Sequence, residues 1–101
     1  SDSEVKTIVK DAEQQISQIE AQASIKDETE KEINKHIQQQ KVIINNADVS
    51  QRQKDKALSQ LDRLASLIAD QLDAADTNEA VIKVKEEAIE QIEAILPETD
   101  Q

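Results

Sequence analysis

The stretch ALSQLDRLASLIADQLDAA, residues 57–75, decides the fold class. Ala57, Leu58, Leu61, Leu64, Ala65, Ile68, Leu72 and Ala75 recur with a period between three and four residues. That spacing gathers them on one face of a helix, where a strand would alternate them across two faces. No other segment has so wide an apolar face, so this helix is expected to be the longest and the most deeply seated, ending near Ala75. Its start is signalled twice, by Asp48/Gln51 and by Ser50/Gln53, each a cap-type acceptor followed three residues later by glutamine. The spacing leaves both open.

Reading downstream, Asp76/Glu79 repeats the capping pattern and opens a further helix with Val81, Ile82, Val84, Ala88, Ile89, Ile92, Ile95 and Leu96 facing inward. Pro97 stops it, because the residue before proline avoids the helical region. Reading upstream, Ile33, Ile37, Gln40, Ile44 and Ala47 form a stripe that begins at the capping pair Asp27/Glu30 and ends at Asn45-Asn46. Before it, Val5, Ile8/Val9, Ala12, Ile16, Ile19 and Ala23 line another helix over about residues 4–23. The expectation is all-α: four helices joined by short connections in one antiparallel up-and-down bundle. Leu58, Leu61, Leu64, Ile68 and Leu72 should face Ile33, Ile37, Ile44, Val81, Ile89 and Ile92.

Composition agrees and excludes much chemistry. The 101 residues contain no Gly, Cys, Met, Phe, Tyr or Trp. Without glycine there is no phosphate-cradling loop or dinucleotide fingerprint, and without cysteine no disulfide, thiol nucleophile or zinc cluster. A formal net charge of -10 disfavours nucleic acid and anionic lipid. No segment reads as a membrane span or a signal peptide, so any signal or anchor is expected outside this sequence. Leu, Ile and Val number 25 of 101, enough aliphatic side chain to fold despite a mean hydropathy of -0.69.

Gln18-Ile19-Glu20-Ala21 recurs as Gln91-Ile92-Glu93-Ala94, an offset of 73 residues. Under that offset Ile8 falls on Val81, Val9 on Ile82, Ile16 on Ile89, and Asp27 on Asp100. The reading is a three-helix repeat of this period. Residues 1–24 are the last helix of a preceding repeat, 25–97 a three-helix repeat unit, and 98–101 the start of the next repeat or a tail.

Lys26, Ile33, Ile37, Gln40-Lys41, Ile44-Asn45, Asp48, Ala57-Leu58, Ile68, Ala75-Asp76-Thr77-Asn78, Val81, Lys85, Ile89, Ile92 and Pro97 together resemble the repeat known as domain of unknown function 1542. The resemblance runs from about Lys26 to Pro97. It departs at Glu30 and Gln38, where small apolar residues are expected, and at Glu86-Glu87. The family occurs in tandem in very large, wall-anchored surface proteins of staphylococci and other Gram-positive bacteria. The resemblance implies a surface-displayed helical spacer in proteins linked with adhesion, biofilm and cell-wall behaviour. It brings with it no catalytic, cofactor-binding or metal-binding residue.

Individual residues read the same way. His36 is the one side chain whose ordinary titration lies near neutral pH, but acid–base work needs a partnered group in a cleft, so it reads as a solvated or half-buried helix residue. Asp70, Asp73 and Asp76, and likewise Glu86, Glu87, Glu90 and Glu93, read as solvated charge, since hard-cation sites need converging oxygens. Gln40 interrupts an apolar stripe and reads as a register-setting polar group. Leu96-Pro97-Glu98-Thr99 matches the start of a sortase signal, yet Asp100 stands where glycine belongs and the match reads as coincidence. No enzyme, catalytic residue, cofactor or metal is expected. The leading function is a non-enzymatic stalk or spacer whose partners are neighbouring repeats. The alternative is a three-helix module binding a host matrix or plasma protein, which the absence of aromatics and the presence of only Arg52 and Arg63 disfavour.

Overall fold

The computed structural model describes the backbone of residues 2–100 and the side chains of residues 12–100. It contains three helices and, among the described residues, no strand: α1 is Asp2–Asn45, α2 is Gln51–Ala74 and α3 is Asn78–Glu93. Four helices were expected, and the difference lies at Asp27/Glu30. Ala21 to Lys26 contains neither Gly nor Pro, so nothing interrupts the i→i−4 hydrogen-bond ladder, and α1 runs straight through. A D-x-x-E pair caps a helix only if the Asp backbone leaves the helical region; within a helix, Asp27 and Glu30 simply point to solvent. Accordingly α1, with 44 residues, is the longest helix rather than α2, with 24.

The remaining termini follow local chemistry. Of the two signals before α2, Ser50/Gln53 is used: Ser50 is extended (φ −63, ψ 157) and its hydroxyl accepts from the Gln53 N–H at 3.3 Å. Before α3 the cap is Thr77, whose hydroxyl accepts from the Ala80 N–H at 3.0 Å, so Asp76 lies one residue too early for the role assigned to it. Glu79 then sits in the first turn, where its charge complements the helix dipole. α3 stops at Glu93, before Pro97, and Ala94 is the C-cap.

The helices pack against one another pairwise. α2 runs back along α1, since Lys26 meets the end of α2 at Asp73 and Lys41 faces Asp62 nearer its middle. α3 runs with α1, as Glu32, His36 and Gln40 meet Lys85, Glu93 and Ile95 in that order. The main core joins Ile33, Ile37 and Ile44 of α1, Ala57, Leu61 and Ile68 of α2, and Ala88 and Ile92 of α3, with Leu58 and Leu64 packed at its edge. A second cluster joins Leu72, Ala75 and Val81, flanked by Ile25. Two residues expected inside are outside: Ile82 and Leu96 are both more than half exposed. Ile82 follows Val81 by 100° of helical turn, which carries it past the packed face, and Leu96 lies beyond the end of α3. The departures Glu30, Gln38, Glu86 and Glu87 are all exposed and cost the core nothing.

α1 thus has two halves. From Ile25 to Ile44 it supplies a wall of the bundle. From Ala12 to Ala21 every side chain is exposed, including Ile16 at 57% and Ile19 at 67%. Val5, Ile8 and Val9 of the same stripe lie outside the described side chains. The extents are 79 × 16 × 16 Å, those of a rod.

Candidate functional site

Two regions differ from a plain bundle: the exposed N-terminal half of α1, here called the arm, and the segment after α3 that folds back over the start of α2. Local composition favours a helix in the arm, which is Ala-, Gln- and Glu-rich and continues a helix that the bundle already templates. Its Ile16 and Ile19 nonetheless present aliphatic surface to water, and burying each such side chain contributes roughly 1.5–3 kcal/mol.

The segment after α3 is held at three points. Gln40, buried in the middle of α1's core face, donates its side-chain N–H to the Ile95 carbonyl at 2.6 Å. α3 has ended by Ile95, so that carbonyl is free of a helical partner, and the bond gives the buried Gln40 amide and the part-buried carbonyl a partner each. The polar interruption in the stripe is therefore a clamp that fixes where α3 ends along α1. Further on, Glu98 lies 3.5 Å from the Lys56 ammonium. Last, Asp100 accepts from the Ser50 N–H at 2.7 Å and from the Ser50 hydroxyl at 2.6 Å. Ser50 is thus relayed: its hydroxyl donates to Asp100 while accepting from Gln53. The hydroxyl bond first, and the backbone N–H second, hold the Asp100 carboxyl below its ordinary range. Nothing local signals this contact, because Asp100 and Ser50 are 50 residues apart.

Between α1 and α3, Lys85 donates to Glu32, and that hydrogen bond together with the lysine charge lowers the Glu32 pKa. His36, partly exposed, has its Nδ1 3.6 Å from Glu93. These pairs rim the core rather than lining a cleft. Asp70, Asp73 and Asp76 are exposed, and Lys26 donates to the Asp73 carbonyl, not to its carboxylate. Among the described residues no three His, Cys, Asp or Glu side chains converge as metal ligands would. Glu86, Glu87, Glu90, Arg52 and Arg63 all face solvent. No described helix is long and apolar enough to cross a membrane. Leu96-Pro97-Glu98-Thr99 forms part of the folded-back segment, with Pro97 half-buried.

Against known families, residues 25–100 match the model of Domain of Unknown Function (DUF1542). The match begins where α1 enters the bundle and ends at the residue that caps Ser50. No match to a curated protein or a solved structure is found.

Proposed function

The chain belongs to the DUF1542 family, and from that membership we propose that it is a non-enzymatic tandem-repeat module of a bacterial cell-wall-anchored surface protein. In this reading the unit is a helical stalk displayed outside the cell, projecting an adhesive region, and its partners are neighbouring repeats of the same chain. Residues 1–24 are then the last helix of a preceding repeat and 25–97 the repeat unit.

The observation that carries the reading is that α1 belongs to the bundle and continues beyond it, with the sequence of its outer half echoing α3. A solenoid or string of bundles gains stability from contacts between neighbours, and elements that extend past one unit are where such contacts form. The side chains that line the bundle's rim are charged or amide-bearing, as suits a spacer that must stay solvated; aromatic anchors of the sort that dominate binding hot spots are absent from the sequence.

Chains of one, two and four linked copies test it. The melting temperature should rise with copy number, since each added junction contributes a neighbour contact that a lone unit lacks. Copy-independent melting together with sub-micromolar binding of the single unit to a host matrix or plasma protein would replace the stalk with the binding module.

A further inference from the structure

The arm and α3 are related by the 73-residue echo, yet only α3 is covered. Ile19 corresponds to Ile92, which is fully buried, and Ile16 to Ile89, which is half-buried. Ile92 is covered by α1 and α2 together: it lies in one cluster with Ile33, Ile37, Ile44 and Leu61. The arm therefore carries the face that, in α3, packs into the groove between α1 and α2. It is long enough for the purpose, because α3 has only 16 residues.

We propose that the Ile16/Ile19 face of the arm is the docking surface for the α1–α2 hairpin of another copy of this unit, placed N-terminal to it in the same chain. The seat has α3's register, with Ile19 in the place of Ile92 and Ile16 in that of Ile89. This rests on the tandem-repeat reading and adds the joint: one unbroken helix is at once the third helix of one bundle and the first of the next. No loop intervenes, so the rotation between neighbouring units is fixed by helical geometry, at 100° and 1.5 Å per residue. The occupant is a hairpin of this type rather than an unrelated partner because the arm repeats the buried pattern of α3, and α3's pattern is satisfied by that hairpin. One position departs. Gln15 stands at the place of Ala88, which is fully packed, so the hairpin over the arm must leave room there or the glutamine must reach its edge.

The test extends the chain with the occupant. Residues 25–77 are joined directly to residues 5–101, which keeps the Thr77 cap and sets the arm in the place of α3. Ile19→Asp is then introduced into this extended chain and into the 101-residue chain, each with Gln15 and with Gln15→Ala. Circular dichroism at 222 nm should show the added segment to be helical. Ile19→Asp should lower the melting temperature of the extended chain by roughly 10 °C, and that of the 101-residue chain by no more than about 2 °C. An added hairpin that stays unfolded in both backgrounds, or an Ile19→Asp effect equally small in both chains, overturns the seat. If the seat fails while linked copies still stabilise one another, only this inference falls. If the 101-residue chain binds a matrix or plasma protein while the seat holds, the stalk reading falls alone.

Discussion

Residues 16–24 and 89–97 begin with the same pattern and finish in different structures. Ile19 and Ile92 sit in identical tetrapeptides, but Ile92 is buried and Ile19 is two-thirds exposed. Eight residues past the first isoleucine of each stretch the pair differs again: at Ser24 the helix continues, whereas Pro97 stands in a segment that has left the helix. A repeated sequence therefore sets a helix and its apolar face in both places. Whether the face is covered depends on which helices are at hand, and whether the helix continues depends on a ring that removes one N–H and crowds the carbonyl four residues before it.

The largest expected effect tests the burial half of that contrast. Ile92→Ala should cost about 2–5 kcal/mol of unfolding free energy, since it empties a site walled by all three helices. Ile19→Ala in the same 101-residue chain should stay within about 0.5 kcal/mol. Chemical denaturation followed by circular dichroism measures both, and equal losses would show the arm to be part of the core.

Gln40→Ala sharpens the comparison by removing the clamp that α3 has and the arm lacks. It leaves the Ile95 carbonyl unpaired beside the core, at a cost of about 1–3 kcal/mol. Gln40→Leu, which fills the space but cannot donate, should destabilise by a similar amount if the hydrogen bond matters, and should stabilise if only volume does.

The contrast of Ser24 with Pro97 also shows what could be read in advance. The all-helical class, both faces of α2 and most of the core follow from periodicity, which depends only on neighbours in the chain, and the Asn45 terminus of α1 follows from the Asn45-Asn46 pair. The number of helices does not follow, because a capping pair such as Asp27/Glu30 permits a helix start without enforcing one, and α3 starts at Thr77 without such a pair. Thr77 outcompetes Asp76 for the same reason: several side chains can cap, and the backbone conformation chooses one. The Asp100–Ser50 contact was illegible because it joins residues half the chain apart with no periodic signal. Gln40 was legible as an interruption, but its partner is a backbone carbonyl, to which side-chain pattern is blind.

Ser24→Pro should convert the first junction towards the second. The ring removes the bond from residue 24 to the Glu20 carbonyl and detaches the arm from its helical template. Circular dichroism should report a loss of up to about 20 helical residues, while the melting temperature moves by no more than roughly 2 °C, because the arm's described side chains contribute no core contact. A large fall in melting temperature would mean that the arm supports the bundle.

Smallest of all are the Ser50–Asp100 clasp at the far end and the Glu32–Lys85 pair between α1 and α3. Asp100 and Glu32 are both held below the ordinary carboxylate range in the folded chain. The stability each contributes is therefore present above that range and is lost as pH falls through the lowered folded values. Asp100→Asn and Glu32→Gln should each lower the melting temperature slightly near neutral pH. The difference from the parent chain should narrow as pH falls below the ordinary carboxylate range and close only once the folded carboxyls, held lower, have also taken up their protons. A gap that persists unchanged in acid would assign the effect to something other than charge.

The central claim is that α1 is one helix whose arm leaves the bundle. Its most direct test is a distance. The chain has no cysteine, so Ser17→Cys and Asn45→Cys, both at exposed positions, can be spin-labelled without background. Twenty-eight residues of unbroken helix place the two backbone positions about 42 Å apart, at 1.5 Å per residue. A pulsed dipolar measurement giving a single distribution near that distance is the result predicted here. A distribution centred near roughly 20 Å, as expected if the chain folds back between Ser24 and Asp27 into a four-helix bundle with neighbouring axes about 10 Å apart, would contradict it.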